Sequence, residues 1–361
     1  MASEISELEN GSFEFISNSE FVFENGGVIN PLVLAYECYG TLNDNKDNAI
    51  VVHHALSTNS HLTATEKIPE KGWWQEMVGP GCHLDSDRYF VICINNLGSC
   101  YGSSGPTSTN QETSKKYRSS FPEVTIVDMV RSQKMLIDAL GIATLHAVLG
   151  NSMGAMLSLA WLALYPLHAK HLISISSCAL SYPANNANRY LQRDMIKLDP
   201  DWDSGNYHYS GDLEGFKMAR RLGLLTYRNW AELNERFVNK TGRESIDHYL
   251  DYNAEKFINR FDCNSYLSLL EAMNTFNLGD EDKNLVEAFK PIEAKVLVVG
   301  VDSDILFTLS QQQALFQALS EAGVDASFLE HNSTYGHDAF LVETEAFGQY
   351  ISDFIQSDEA H

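Results

Sequence analysis

Apolar positions fall into two periods along the chain, and the alternation of those periods predicts its elements. From Ser12 to Tyr39, Phe13, Phe15, Phe21 and Phe23 alternate with polar residues. Gly26-Gly27 then turns the chain, and Leu32 to Tyr36 follows. A period of two broken by a glycine pair predicts an antiparallel entry hairpin. Ala49–Val52, Tyr89–Ile94, Ala147–Leu149, His171–Ser176 and Val296–Val301 are short apolar runs, and Ala326–Glu330 is a last strand-like segment. Runs without polar interruption belong to strands covered on both faces, as in a parallel sheet. Helical spacing fills the gaps: Asp128–Leu140, the stretch from Ser152 to Tyr165-Pro166, Leu309–Leu319, and an amphipathic segment closing at Ile355. Strand and helix in alternation predict an α/β class with a mostly parallel central sheet.

That pattern stops after Pro183. From Ala184 to Pro291 the chain is helical and charged, with helices over Phe216–Leu225, Trp230–Val238 and Tyr266–Asn277. The sheet period resumes at Val296. The expected organisation is a core of residues 11–183 and 292–361, interrupted by a helical lid of residues 184–291.

Composition changes this picture in three ways. A chain of 361 residues, 44% hydrophobic, is long enough for one large core with an insertion. The net charge of −23 disfavours nucleic acid and anionic membranes as partners, and it demands a local basic patch if the substrate is an anion. The six cysteines form no C-x-x-C pair and read as free thiols in a reducing cytoplasm. The acidic start MASEISELENGS has no apolar segment of the signal-peptide kind, and no apolar run is long enough to span a bilayer.

The chemistry centres on Gly150-Asn151-Ser152-Met153-Gly154, set between an apolar strand and a helical pattern. G-x-S-x-G in that context is a nucleophile elbow: the serine stands at a sharp turn, beside the first amides of a helix. A serine hydroxyl needs an imidazole to take its proton, and the imidazole needs a carboxylate to hold its tautomer. The late strand ends in Asp302-Ser303-Asp304, where two aspartates compete for the acid role. His337 follows the last strand. Ser…Asp…His is the chain order of α/β hydrolases.

Three loops are less decided. His53-His54-Ala55-Leu56-Ser57-Thr58-Asn59-Ser60-His61 stands where the second half of an oxyanion hole belongs. Its H-H-x6-H spacing lacks an interleaved carboxylate, so no metal is expected. Trp73-Trp74 looks like an exposed pair, either substrate wall or packing. The small-residue loop Asn95–Ser108 is either a phosphate cradle or a tight structural loop, and it lacks the Lys-Ser/Thr of a P-loop.

Ten stretches together resemble the homoserine O-acyltransferases of the α/β-hydrolase fold: AYECYGTLN, HHALSTNSHL, GWW, NNLGSCYGSSGPTS, FPEVTIVDMVRSQ, GNSMGAM, ARRLGLLTYR, RFDCNSYL, VGVDSDILF and YGHDAFL. The resemblance implies Ser152 as nucleophile, Asp304 rather than Asp302 as acid, and His337 as base. It implies the backbone N–H groups of Leu56 and Met153 as oxyanion hole. It further implies Arg220 and Tyr227 on the carboxylate of the acceptor amino acid, and Asp338 on its amino group. Arg221 is the competing arginine, and a helix cap is the competing role for Asp338. The implied reaction is ping-pong transfer from acyl-CoA, acetyl-CoA first, to L-homoserine in methionine biosynthesis. Succinyl-CoA as donor and L-serine as acceptor are variants within it. An esterase on the same triad is the alternative, and the amino-acid clamp argues against it. Acyl-CoA is then a co-substrate, with no resident cofactor, and a homodimer through the lid helices is implied. The chain departs from the family at Asn151, Ala155, Ala55–Asn59 and Leu97–Cys100, positions expected to line or flank the acyl pocket.

Overall fold

The computed structural model describes residues 3–279 and 284–357. Residues 280–283, within the predicted insert, and 358–361, at the end of the predicted core, lie outside the described residues. A nine-stranded sheet organises the rest. Its strands in chain order are β1 (Glu4–Glu7), β2 (Phe13–Ser17), β3 (Leu32–Tyr39), β4 (Ala49–His53), β5 (Phe90–Ile94), β6 (Leu145–Asn151), β7 (Ala169–Ile175), β8 (Lys295–Val301) and β9 (Ala326–His331). In space they run β1-β2-β3-β5-β4-β6-β7-β8-β9. The pairings β1–β2, β2–β3 and β3–β5 are antiparallel, and all those from β5 to β9 are parallel. This is the mostly parallel α/β sheet that the apolar runs predict.

Strand β1 extends the sheet beyond the expected start at residue 11. Glu4-Ile5-Ser6-Glu7 carries one apolar residue, and it stays exposed at the sheet's edge, where charge discourages pairing with another chain. The entry hairpin is β2 paired with β3. Phe21 does not join it: Phe21–Val22 pairs with Val28–Ile29 in a separate small ladder.

Helices cover both faces. α1 (Ile126–Ala139) starts at a capping box, where Thr125 Oγ1 accepts the Asp128 amide and the Asp128 carboxylate accepts the Thr125 amide. α2 (Met153–Leu164) is apolar on every side and buried from Met153 through Leu162, so it is a core helix rather than a surface one. α9 (Leu309–Glu321) and α10 (Thr344–Gln356) complete the layers.

Between β7 and β8 the chain forms α3 (Pro183–Lys197), α4 (Glu214–Tyr227), α5 (Trp230–Phe237), α6 (Ile246–Ile258), α7 (Cys263–Asn274) and the short α8 (Leu285–Phe289). Three of these match the predicted helices to within a turn. Gly336 lets the loop after β9 abut this insert. It has φ +66°, and a Cβ there would come within 2.8 Å of the Asn229 nitrogen and 3.1 Å of the Arg228 carbonyl carbon.

One expectation is corrected, and one open alternative is decided. Trp73 and Trp74 are not an exposed pair: Trp74 is fully buried, with its ring 4.8 Å from that of Trp73. Trp73 Nε1 donates to Asn59 O at 2.9 Å and Trp74 Nε1 to Phe340 O at 3.1 Å, so the pair braces two loops beside Ser152. The Asn95–Ser108 loop is structural. Ser103 and Ser104 are buried, and their hydroxyls accept the amides of Ala35 and Val33. These contacts seal the loop against β3, leaving those hydroxyls engaged with backbone rather than a phosphate.

Candidate active site

Parallel strands end at one edge of the sheet, and ligand sites of open α/β sheets lie at such edges. Three segments meet there: the turn after β6, the loop after β8 and the loop after β9. Ser152 follows β6 directly, with φ 54° and ψ −123°. A non-glycine residue in that region is strained, and the packing around it holds the strain. Gly150 and Gly154 are sterically required. A Cβ at Gly150 would lie 2.3 Å from the Gly154 carbonyl, and one at Gly154 would lie 2.0 Å from His53 O. The G-x-S-x-G pattern is therefore a close backbone crossing of β6, α2 and the loop after β4.

Asp304 and His337 are both buried, and Asp304 Oδ2 accepts the His337 Nδ1–H at 2.7 Å. The other carboxylate oxygen accepts the amides of Leu306 at 2.8 Å and Phe307 at 2.9 Å. Asp302, the competitor, is exposed and accepts the Ser333 amide instead. Phe307, Tyr227 and Phe340 pack their rings 5.4, 5.9 and 5.5 Å from the His337 ring, which fixes its plane. Ser152 and His337 open into one cavity of about 280 Å³.

Two histidines shape the loop after β4, where the resemblance places half of an oxyanion hole. His54 Nε2 accepts the Asn96 amide at 3.2 Å, so its proton sits on Nδ1 and is donated to Ala55 O at 2.8 Å. His53 Nδ1 meets Ser158 Oγ at 2.8 Å. Burial pushes His53 down to about 3 and His54 down to about 4, so both are neutral. The Thr58 amide and hydroxyl both return to Ala55 O, closing the turn that carries Leu56. Leu56 lines the cavity, and Met153 opens α2, where a first-turn amide has no intrahelical acceptor. No group of His, Cys, Asp and Glu suited to a metal occurs among the described residues.

Arg220, Tyr227 and Asp338 line the same cavity. Arg220 is buried, donates to Tyr227 Oη at 3.2 Å and lies 4.0 Å over the Phe257 ring. Arg221 points elsewhere, paired with Asp251 at 2.6 Å. Asp338 makes no capping hydrogen bond, so the alternative role falls away. Burial raises the Asp338 carboxyl above its ordinary range, while His337, Arg228 and Arg220 act to lower it. Further cations at the site escaped the sequence reading. Arg228 forms a two-pronged pair with Glu232 and reaches within 3.9 Å of Asp338. Arg189 lines the wall from α3. Arg228 ends the ARRLGLLTYR stretch without a role assigned there, Arg189 stands in none of the ten stretches, and the packing of the insert brings both to the site. Of the departures, Ser57 and Thr58 line the cavity, whereas Asn151, Ala155 and Ser99 are buried and are not among its lining residues.

A family model described as the alpha/beta hydrolase fold matches residues 48–344. Homoserine O-acetyltransferase of Moorella thermoacetica is 39% identical over 92% of both chains. Serine O-succinyltransferase of Stenotrophomonas maltophilia is 40% identical, covering 94% of this chain and 96% of its own. The chain belongs to the homoserine O-acyltransferase family. It is an acyltransferase by that membership. The solved homoserine O-acetyltransferase of Bacillus anthracis superposes with a TM-score of 0.88 at 28% identity, covering 95% of this chain and 97% of that one. Within this family the Ser-Asp-His arrangement and the charged cavity wall are read together.

Proposed function

We propose that the protein transfers an acyl group from an acyl-coenzyme A thioester to the side-chain hydroxyl of L-homoserine, a step of methionine biosynthesis. L-Serine is the variant acceptor, one methylene shorter. A single juxtaposition carries the reading: Ser152 and His337 share one cavity with Arg220, Tyr227 and Asp338. A guanidinium suits a carboxylate and a carboxylate suits an ammonium, so the cavity presents both halves of an amino-acid clamp. An esterase of simple esters has no use for either.

In this mechanism His337 Nε2 takes the proton of Ser152 as Oγ attacks the thioester carbon. The N–H groups of Leu56 and Met153 face the developing oxyanion. The C–S bond breaks, and the leaving sulfur takes the proton from His337 Nε2, so the coenzyme departs as its thiol and His337 is a free base again. The acceptor hydroxyl then gives its proton to His337 and attacks the acyl-serine. The ester oxygen of Ser152 departs and regains that proton. Asp304 holds Nδ1–H throughout and stabilises the imidazolium. The route uses no resident metal or cofactor. The helical insert acts as lid over this cavity.

The acetyl donor expected from the sequence has support in the acetyltransferase relative, and a succinyl donor in the succinyltransferase relative. The reading extends to a homodimer through the insert, supported by Leu225, Trp230 and Val238 exposed along one outer groove. It also places the enzyme in the cytoplasm, supported by six free cysteines. Among the described residues no helix is long and apolar enough to cross a membrane.

The test is a thiol-release assay crossing acetyl-CoA and succinyl-CoA with homoserine, serine and no acceptor. Release that depends on an amino acid supports transfer. Rapid release without any acceptor sinks it in favour of hydrolysis, and Ser152→Ala retaining release refutes the nucleophile.

A further inference from the structure

Three arginines line the catalytic cavity, Arg189, Arg220 and Arg260, against one carboxylate among the described lining residues, Asp338. In a chain of net charge −23 such a cationic wall is a local inversion. An acceptor amino acid is a zwitterion. It takes Arg220 and Asp338 together and leaves the other two cations unanswered. Arg260 is exposed, so water screens it without help.

Arg189 has no such recourse, being only 4% exposed. Its Nη1 donates to Ser181 Oγ at 2.7 Å, Asn274 Oδ1 at 3.2 Å and Asn186 Oδ1 at 3.3 Å. All three acceptors are neutral. Nη2 has no partner. Burial pulls the guanidinium down to about 10, which still leaves it charged at neutral pH. A buried cation without a counter-charge is costly, and a family of enzymes that bind anions has a use for one.

Its position relates it to the acyl side. Asn185, four residues earlier on the same face of α3, donates to Leu306 O, and the Leu306 amide binds Asp304 Oδ1. Arg189 thus continues the wall that begins at the Asp304 loop. Cys178 lies close enough to both Arg189 and Asp304 to feel their charges.

We infer that the donor's acyl group bears a carboxylate of its own, as in the monothioester of a short dicarboxylic acid such as succinyl-CoA, and that Arg189 is the counter-ion that selects it. This rests on the acyl-transfer reading above and narrows its donor. The bonds made and broken are those of the two-step transfer. The distal carboxylate takes no part in the chemistry and emerges intact on the product.

The experiment compares succinyl-CoA with butyryl-CoA, which has the same four-carbon chain without the carboxylate, and with acetyl-CoA. Thiol release is followed with homoserine and with serine. Wild-type protein is expected to favour succinyl-CoA over butyryl-CoA in kcat/KM by about 10- to 150-fold, the range for hydrogen bonds between charged groups. Arg189→Gln is expected to collapse that ratio at least about tenfold, with Arg189→Lys intermediate. Acetyl-CoA or butyryl-CoA serving wild-type protein as well as succinyl-CoA overturns the inference, and this arm stands even if the variants fold poorly. Arg189→Gln raising the KM of the amino acid while the donor ratio holds also overturns it, because Arg189 then belongs to the acceptor clamp. Transfer from none of the three thioesters to either amino acid is a different failure, that of the acyltransferase reading itself.

Discussion

Asp304→Asn tests the triad most directly, because the structure dictates how an asparagine must sit. One carboxylate oxygen of Asp304 accepts two amides, from Leu306 at 2.8 Å and Phe307 at 2.9 Å, and the other accepts His337 Nδ1–H at 2.7 Å. An asparagine has one oxygen and one NH₂. Turning the NH₂ toward the two amides would leave both unpaired, at about 1–3 kcal/mol each, so the oxygen stays on the amides. The NH₂ then faces His337 Nδ1, which must become the acceptor. The imidazole proton moves to Nε2, and His337 can no longer take the proton of Ser152. In a Ser-His-Asp site this loss of tautomer is worth roughly 10⁴ in turnover, or about 5.4 kcal/mol on the barrier. The assay is thiol release under saturating donor and acceptor, read beside a thermal melt. A fall of about 10³–10⁴ with a near-native melting temperature is expected. Asp302→Asn is the control: its carboxylate accepts only the Ser333 amide among the hydrogen bonds found, and turnover should change less than about threefold. Retention of more than about a tenth of the activity in Asp304→Asn would falsify the tautomer argument.

Three further outcomes follow from the site. Arg220→Met should raise the KM for the amino acid by about 10- to 150-fold, whereas Arg221→Met, removing only the pair with Asp251, should leave kinetics nearly unchanged; equal effects would show that the wrong arginine faces the cavity. Burial raises Asp338, so it loses charge at a higher pH than an ordinary carboxyl, and the KM for the acceptor should climb as pH falls into that raised range. Asp338→Asn should abolish this limb. The sign for folding is opposite: stability from a raised carboxyl is present below its unfolded pKa and lost as pH rises through the folded one, so the variant should melt higher at neutral pH, and a lower melting point counts against it. For His53 and His54, held neutral by burial, the stability they contribute is present above about 6.5 and is lost as pH falls toward about 4 and then about 3. A melting temperature flat from pH 7 to about pH 4 would count against that burial.

The parallel part of the sheet and the position of the insert were legible because they rest on local periodicity. Apolar strands covered on both faces stand out, as does the loss of their rhythm after Pro183. Strand β1 was missed because an edge strand need bury little, and Glu4-Ile5-Ser6-Glu7 buries almost nothing. The tryptophan pair was misread for the opposite reason: its partners, Asn59 and Phe340, are remote in sequence, so no local signal marks the pair as buried. Histidines in the oxyanion loop invited metal chemistry, but their roles depend on which backbone groups stand within reach.

The sequence by itself determined the nucleophile turn, because Gly150 and Gly154 answer a steric demand within a few residues of Ser152. It also determined the order of serine, acid and base along the chain. The resemblance favoured Asp304 over Asp302, and the structure supports that choice through the amides that orient its carboxylate. Tertiary structure decided which of two adjacent arginines faces the cavity, through the packing of α4 on Phe257 and Asp251. It alone brought Arg189 to the wall and Arg228 to within 3.9 Å of Asp338. Charge in a cavity is a property of elements packed together, and neighbouring residues on one helix point to different surroundings. That is why a motif could mark the nucleophile, while the charge lining its cavity waited on where the insert sets its buried guanidinium groups.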